Sequence, residues 1–196
     1  VDIIYNLNIP LNVFTFKTTD KQFFVENIVF TPFLLKNNIE NVLTDFDLLI
    51  SLHCMQIVPS KIVNSIKCIN IHPGFNPYNR GWYPHVFSII NGLPAGATIH
   101  EMDEKIDNGP VIVQKQVAVM PDDTSLSLYE KIKCAEIELI EQNILDILTG
   151  NYTTSEVSGG NINNKEDFKN LCFIDIDEIT TFGKAINRLR ALSHGD

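Results

Sequence analysis

The stretch CINIHPGFNPYNRGWYP, residues 68–84, carries the local signals on which the fold assignment depends. An apolar strand is predicted to run as far as His72 and to break at Pro73-Gly74, where a loop rich in Pro, Asn and Gly follows. Residues i and i+2 of a strand share a face, so Asn70 and His72 are expected to project together. Open α/β sheets place their sites at the carboxyl ends of parallel strands. The stretch therefore predicts an α/β sheet with an amide and an imidazole at one strand end.

Strands and helices alternate outward from this stretch. Upstream, DLLISLHC (residues 47–54) is an apolar run typical of a strand buried on both faces. Downstream, ATIHEMD and PVIVQKQVAV are typical of two strands joined by a turn. The strongest helix pattern follows, with Asp123 or Thr124 as N-cap and Gly150 as the C-terminal stop. The alternation predicts an α/β fold with a mostly parallel sheet.

Length, composition and charge exclude several classes of protein. The chain has 196 residues, of which 44% are apolar and 20% charged, enough to bury the core of one domain. A net charge of -9 argues against a nucleic-acid surface, which needs a basic face. No apolar run approaches the ~20 residues of a membrane span. We therefore expect neither a nucleic acid nor a membrane as partner.

The cysteines indicate a reducing compartment. Four of them are scattered without a CxxC pair or a His at zinc-finger spacing. Since thiols in such apolar runs are usually reduced core residues, the pattern predicts a cytoplasmic protein without a structural metal.

Three polar residues are candidates for chemistry, and each allows two interpretations. Asn70 and His72 could stabilise a developing oxyanion and move a proton, or they could cap their own loop. Asp107 opens an Asp-Asn-Gly sequence that is typical of a turn, yet its carboxylate could also orient an imidazole. From the residues alone, both alternatives remain open.

The segments NIHPGFNPYNRGWYP, GATIHEMDEKIDNGPVIVQKQVAV and DDTSLSLYEKI together resemble the folate-dependent formyltransferases. That family has an Asn-x-His-Pro motif followed by an Asp-x-Gly turn before a strand, and the resemblance covers about residues 47–145. It implies a Rossmann-like formyltransferase fold in which Asn70, His72 and Asp107 are catalytic. It also implies N10-formyltetrahydrofolate as co-substrate and no metal.

Within the family, NPYNRGW is most similar to the sugar N-formyltransferases, which act on dTDP-linked amino-dideoxysugars. The implied acceptor is dTDP-4-amino-4,6-dideoxyglucose, with the 3-amino isomer open, and the implied pathway is polysaccharide or lipopolysaccharide biosynthesis. Substrate contacts are expected from the loop residues Tyr78, Asn79, Arg80 and Trp82. The alternative for this loop is that its Arg pairs with a carboxylate while its Trp packs into the sheet.

The same resemblance places the folate on the segment after the predicted strand at 47–54. The residues expected to bind it are Cys54, Met55, Gln56 and Ile57. The alternative is a strand end that packs into the core. His53, His100 and His194 belong to no motif and are expected to be structural.

The resemblance also sets the expected domain organisation and the competing functions. Residues 1–150 are expected to form the catalytic domain, and residues 151–196 a linker and the start of an incomplete C-terminal region of the kind that can form a homodimer. The alternatives are a glycinamide ribonucleotide formyltransferase and a non-catalytic nucleotide-sugar binder of the same fold. A methionyl-tRNA enzyme would need a basic RNA-binding domain, which this acidic chain lacks.

Overall fold

The computed structural model of the chain describes residues 14–15 and 31–195; the segment VDIIY (residues 1–5), whose sequence predicts a short strand, lies outside this part. The described strands are β1 (Phe14–Thr15), β2 (Thr31–Pro32), β3 (Leu48–Leu52), β4 (Lys67–His72), β5 (Arg80–Gly81), β6 (Ala95–Glu101), β7 (Val111–Val117) and β8 (Ile162–Asn163). The described α-helices are α1 (Ile39–Asp45), α2 (Ser60–Val63), α3 (Pro84–Asn91), α4 (Ser125–Thr149), α5 (Lys165–Cys172) and α6 (Phe182–Ala191), and a single 3-10 turn spans Leu35–Asn37.

The central sheet has the strand order β3-β4-β6-β7. Strands β3 and β4 run parallel, whereas β6 pairs antiparallel with both β4 and β7. Because β6 and β7 form a hairpin, their short connection requires antiparallel pairing. The pairs β1-β2 and β5-β8 are parallel, so three of the five described pairings are parallel. The α/β fold class and its mostly parallel pairing are confirmed, although two of the three pairings within the central sheet are antiparallel.

Strand β4 separates two apolar clusters. Ile69 and Ile71 face a large cluster that contains side chains from α3, α4 and β6. Cys68 faces a smaller cluster with side chains of α1 and α2. Asn70 and His72 have the same parity as Cys68 and therefore share its face, as predicted. At the carboxyl end of β4 that face leads into the site described below.

Helix α4 begins and ends as its sequence predicts. Thr124 is its N-cap, and the Thr124 hydroxyl accepts a hydrogen bond from the Ser127 N–H at 3.2 Å. Gly150 ends the helix with φ 71, a left-handed conformation that glycine adopts without strain. The helical spacing of apolar residues in this segment predicts a buried stripe, and the structure buries its members, Leu128, Ile132, Ala135 and Leu139.

The Ser-, Gly- and Asn-rich segment at residues 153–164, whose composition predicts a linker, contains more structure than expected. Ser155 forms an isolated bridge with Val111, and β8 pairs with β5 beside the loop that follows His72. Helix α5 was not predicted, because in its eight residues only Phe168 and Leu171 mark an apolar face, and both pack against the large cluster. Its start is fixed by a capping box in which Asn164 Oδ1 accepts from the N–H groups of Glu166 and Asp167. In the part of the chain that the structure describes, no helix is long and apolar enough to cross a membrane.

Candidate active site

Asn70, His72 and Asp107 meet at the carboxyl end of β4. The Asn70 amide Nδ2 donates to Asp107 Oδ1 at 3.0 Å, and His72 Nδ1 lies 3.5 Å from Asp107 Oδ2. The Gly81 N–H donates to Oδ2 at 3.0 Å, so both carboxylate oxygens have a donor. The close approach of Asp107 to His72, expected from resemblance alone, is therefore present. The turn that delivers Asp107 gives it φ 48, an uncommon backbone conformation for a residue other than glycine.

His100 joins these three residues, although no motif pointed to it. Its Nδ1 lies 2.6 Å from the Glu101 carbonyl oxygen, which can only accept, so Nδ1 carries the proton. In the neutral ring Nε2 is then an acceptor, and it lies 3.3 Å from Asn70 Nδ2. Both N–H groups of Asn70 are consequently engaged, one by Asp107 and one by His100. The structural role expected for His100 is thus a role within the site.

His72 is a neutral imidazole in this environment. Burial lowers its pKa to about 4, and the Asp107 carboxylate only partly opposes that shift. His72 Nε2 is buried and has no hydrogen-bond partner in the described part of the chain. A Cβ on Gly74 would come within 2.3 Å of this atom, so the glycine leaves room beside it. The ring therefore presents a free nitrogen lone pair.

Asp107 is an anion at neutral pH. Burial raises its pKa, but attraction to His72 and the hydrogen bond from the Gly81 N–H are among the contacts that outweigh burial and lower the pKa to about 2. The Asp107 carbonyl oxygen also accepts from Asn76 Nδ2 at 3.0 Å, which fixes the turn. The pair of His72 and Asp107 is thus a neutral base beside a fixed negative charge.

A cavity of about 730 Å³ opens onto these groups. Asn70, His72, His100 and Asp107 line it on one side, and the segment Cys54–Ile57, here called the 54–57 wall, lines another. Met55 and Ile57 of this wall are 63% and 82% exposed, so the alternative of a strand end packed into the core is not what the structure shows. Gln56 differs from its neighbours, because its amide is bound to the backbone of residues 33–35.

The loop after His72 contributes to the cavity less than expected. Trp82 lines it, whereas Tyr78, Asn79 and Arg80 do not. Asn79 is fully buried, and its amide is used by Ser88, Asn91 and Asn161, so the expectation that Asn79 contacts a substrate is corrected. Arg80 Nη1 donates to the Asn108 side-chain oxygen instead of pointing into the cavity.

A second set of polar side chains also lines the cavity and was not predicted to do so; its members are His53, His85, Tyr129 and His194. His53 Nε2 lies 2.8 Å from Oε1 of the buried Glu136, and His53 Nδ1 lies 3.1 Å from the Tyr129 hydroxyl. The His85 ring lies tilted beside the Tyr129 ring, with 4.9 Å between ring centroids, and burial lowers the pKa of His85 to about 3. His194 also lines the cavity, and its Nδ1 lies 2.8 Å from the Ser125 hydroxyl oxygen. Their distant sequence positions give no spacing signal.

The polar groups of the site are imidazoles, amides and carboxylates that lie within hydrogen-bonding distance of one another. Among the described residues, no group of three or more His, Cys, Asp or Glu side chains could hold a metal ion. The arrangement of an amide donor, a neutral imidazole and a buried carboxylate suits proton transfer and stabilisation of negative charge on a carbonyl oxygen.

Two families match the chain. Residues 7–144 match the family described as formyl transferase, and residues 167–196 match the N-formyltransferase dimerization C-terminal domain. A curated relative, the dTDP-4-amino-4,6-dideoxyglucose formyltransferase of Mycobacterium bovis, is 45% identical over 159 residues, which are 81% of this chain and 68% of the relative.

Solved structures agree with these matches. A 4-N formyltransferase from Francisella tularensis superimposes with a TM-score of 0.81 at 49% identity and covers 84% of this chain and 69% of its own. A sugar 3N-formyl transferase, solved in the presence of dTDP and 5-N-formyl-tetrahydrofolate, has a TM-score of 0.64 at 25% identity and covers 81% of this chain and 62% of its own.

Proposed function

Since the chain belongs to the formyl transferase family, we propose that it moves the formyl group of N10-formyltetrahydrofolate to the 4-amine of dTDP-4-amino-4,6-dideoxyglucose. The observation that carries this proposal is the meeting of Asn70, His72 and Asp107 in one cavity. The 4-amino position is supported by a relative that is 45% identical and a solved 4-N formyltransferase that is 49% identical.

The reaction joins the sugar nitrogen to the formyl carbon, breaks the bond from that carbon to N10, and passes the amine proton to the departing N10. His72 Nε2, buried and unpartnered in the described part of the chain, accepts the proton of the amine. Its neutral state at physiological pH, set by burial, keeps that lone pair available. Asp107 faces His72 Nδ1 and stabilises the imidazolium that forms.

Asn70 donates to the formyl oxygen as negative charge develops on it. Both of its N–H groups are engaged in this structure, so one contact must be exchanged for the formyl oxygen. The contact to His100 Nε2, at 3.3 Å, is longer than the 3.0 Å contact to Asp107 and is the one released. His100 thereby holds the Asn70 amide in orientation until the substrate arrives.

The cavity fits a flat heteroaromatic ring on one side and a nucleotide sugar on the other. Met55 and Ile57 give the 54–57 wall an apolar exposed surface for the pterin, and Cys54 lines the cavity beside them. Trp82 offers an aromatic face to the nucleotide sugar. Lys105 is the cation among the described lining residues, which favours it over Arg80 as the partner of a diphosphate.

The assembly and setting of the enzyme follow from the same features. Residues 1–150 form the catalytic domain and residues 151–196 the linker and C-terminal region, a division that the family matches to residues 7–144 and 167–196 support. The chain forms a homodimer through residues 167–196. Its four free thiols fit the cytoplasm, and its product, a formamido sugar nucleotide, would enter polysaccharide or lipopolysaccharide synthesis.

The direct test is a coupled assay with defined acceptors. The protein is incubated with N10-formyltetrahydrofolate and, separately, dTDP-4-amino-4,6-dideoxyglucose, its 3-amino isomer and glycinamide ribonucleotide, and the products are analysed by mass spectrometry. We expect one formyl group on the 4-amino sugar and slower or no reaction with the others. Formylation of glycinamide ribonucleotide alone would overturn the sugar assignment, and binding of the sugar nucleotide without any formylation would indicate a non-catalytic binder.

A further inference from the structure

We propose that His53 and Glu136 are positioning residues, which hold the 54–57 wall in the shape that receives the folate; the inference rests on the proposed function. The two oxygens of Glu136 lie 2.8 and 2.9 Å from His53 Nε2, and the carboxylate side chain is 4% exposed. A carboxylate accepts only, so Nε2 is the donor. A buried carboxylate without a hydrogen-bond donor destabilises the folded protein. The contact between Glu136 and His53 Nε2 is therefore strongly favoured.

The ring of His53 is fixed at both nitrogens by one helix. With the proton on Nε2, the Nδ1 of the neutral ring accepts from the Tyr129 hydroxyl at 3.1 Å. Tyr129 and Glu136 both belong to α4, the helix that packs on β6 and β7. Helix α4 therefore sets the position of a residue at the end of β3.

The backbone of His53 directs the chain into the wall. His53 has φ 49, a left-handed conformation that a residue with a side chain retains where its surroundings impose it. Cys54 follows immediately, and residues 53–59 have no regular secondary structure. The contacts of the His53 ring with Glu136 and Tyr129 thus impose the backbone direction in which the 54–57 wall begins.

The side chain of Gln56 is a second anchor of the 54–57 wall. Gln56 Oε1 accepts from the Leu35 N–H at 3.0 Å, and Gln56 Nε2 donates to the Phe33 carbonyl oxygen at 2.9 Å. Met55 between the anchors and Ile57 after them are largely exposed, so apolar packing contributes little to the shape of the wall. Release of the His53 anchor would leave a mobile wall, which a ligand must then order on binding.

The experiment compares Glu136→Ala and His53→Gly with the wild type. Glycine accepts a positive φ, so His53→Gly removes the ring without straining the backbone. The Kd for 5-formyltetrahydrofolate and the KM for the formyl donor should rise about tenfold or more, as for a lost hydrogen bond to a charged group. The kcat at saturating folate should stay within about threefold, because Asn70, His72 and Asp107 are untouched.

Two further variants separate positioning from general stability. Glu136→Gln keeps an acceptor for His53 Nε2 and should recover most of the folate affinity. Glu138→Ala, on the same helix, removes an exposed partner of Lys115 outside the cavity and should leave the Kd unchanged. A merely structural pair would lower the Tm of Glu136→Ala while its folate KM stayed at the wild-type value.

Wild-type Kd values in folded Glu136→Ala and His53→Gly, with formylation intact in the wild type, would overturn the positioning role and leave the proposed function standing. A wild-type protein that neither binds 5-formyltetrahydrofolate nor formylates an amino sugar would overturn the proposed function together with this inference.

Discussion

At the scale of single residues, Asp107 organises the site. One carboxylate oxygen receives the Asn70 amide at 3.0 Å, and the other receives the Gly81 N–H at 3.0 Å and lies 3.5 Å from His72 Nδ1. An asparagine at this position would turn a donor toward groups that are themselves donors, and it would remove the charge that stabilises an imidazolium.

Replacing Asp107 by Asn or Asn70 by Ala should therefore lower kcat by ~100-fold or more, the range for lost electrostatic stabilisation of a transition state. His72→Asn should have a similar effect, because it removes the proton acceptor. Steady-state kinetics with the amino sugar measure the loss, and circular dichroism confirms folding. A folded variant with near-normal kcat would exclude that residue from the chemistry.

Two buried imidazoles make stability depend on pH. Burial lowers the pKa of His72 to about 4 and that of His85 to about 3, whereas unfolding restores values near ~6.5. Between those limits the unfolded chain binds more protons, so stability rises with pH and is lost as pH falls from about 6.5 toward about 4. The Tm should decrease over this window, and His85→Gln should flatten the decrease. An unchanged slope in His85→Gln would mean that His85 does not contribute.

Only part of the site could be predicted from the sequence. Asn70 and His72 could be placed on one face from the alternation of β4, and Asp107 could be brought to them by resemblance. His100 could not be found, because it meets Asn70 only through the pairing of two strands that lie far apart in sequence. Asn79 was predicted to contact a substrate because a polar residue in a Pro- and Gly-rich loop is usually exposed. Instead, its side-chain amide forms hydrogen bonds with three neighbours inside the protein.

At the scale of elements, helix α4 links the site to the core. Its apolar stripe packs on the sheet, while Tyr129 of the same helix lines the cavity and Glu136 binds His53, which lines it as well. The periodic stripe and the cap made α4 predictable from the sequence. Helix α5 and strand β8 were not predictable in this way, because a capping box and a two-residue pairing leave almost no periodicity.

The start of α4 should be measurable in stability. Thr124→Ala removes the oxygen that accepts from the Ser127 N–H and should destabilise the protein by about 1 kcal/mol. For a protein of this size, that change lowers the Tm by roughly 2–4 °C. Thr124→Ser keeps the hydroxyl and serves as the control in a thermal melt. Equal Tm values for Thr124→Ala and the wild type would show that the cap does not stabilise the fold.

At the scale of the whole molecule, the C-terminal segment exposes an unusual amount of apolar surface. Its exposed apolar residues are Phe173, Ile174, Ile176, Ile179, Phe182, Ile186 and Leu189. Such a concentration of exposed apolar side chains in one segment is typical of a protein interface. The match of residues 167–196 to the N-formyltransferase dimerization C-terminal domain supports the proposal that a second copy of the chain covers this surface.

A double variant, Ile176→Asp with Phe182→Asp, should therefore convert a dimer to a monomer. The two side chains are 92% and 83% exposed, so the substitutions bury no charge within one subunit. Light scattering after size-exclusion chromatography should give half the wild-type mass. Lys184→Ala, on the same segment, is the control and should keep the wild-type mass. A double variant that remains dimeric would place the interface elsewhere.

Because the cysteines lie in different environments, their rates of alkylation can report on ligand binding and on unfolding. Cys54 is exposed in the 54–57 wall, Cys134 and Cys172 are exposed outside the cavity, and Cys68 is buried with a pKa raised to about 11 by burial. With iodoacetamide, peptide mass spectrometry should show that 5-formyltetrahydrofolate slows alkylation of Cys54 and leaves Cys134 and Cys172 unchanged, since only the thiolate reacts and only the wall is covered. Cys68 should be alkylated only as the chain unfolds, so a single labelling reaction would report ligand occupancy and global opening at the same time. Equal protection of all three exposed thiols would argue that the folate does not lie against the wall.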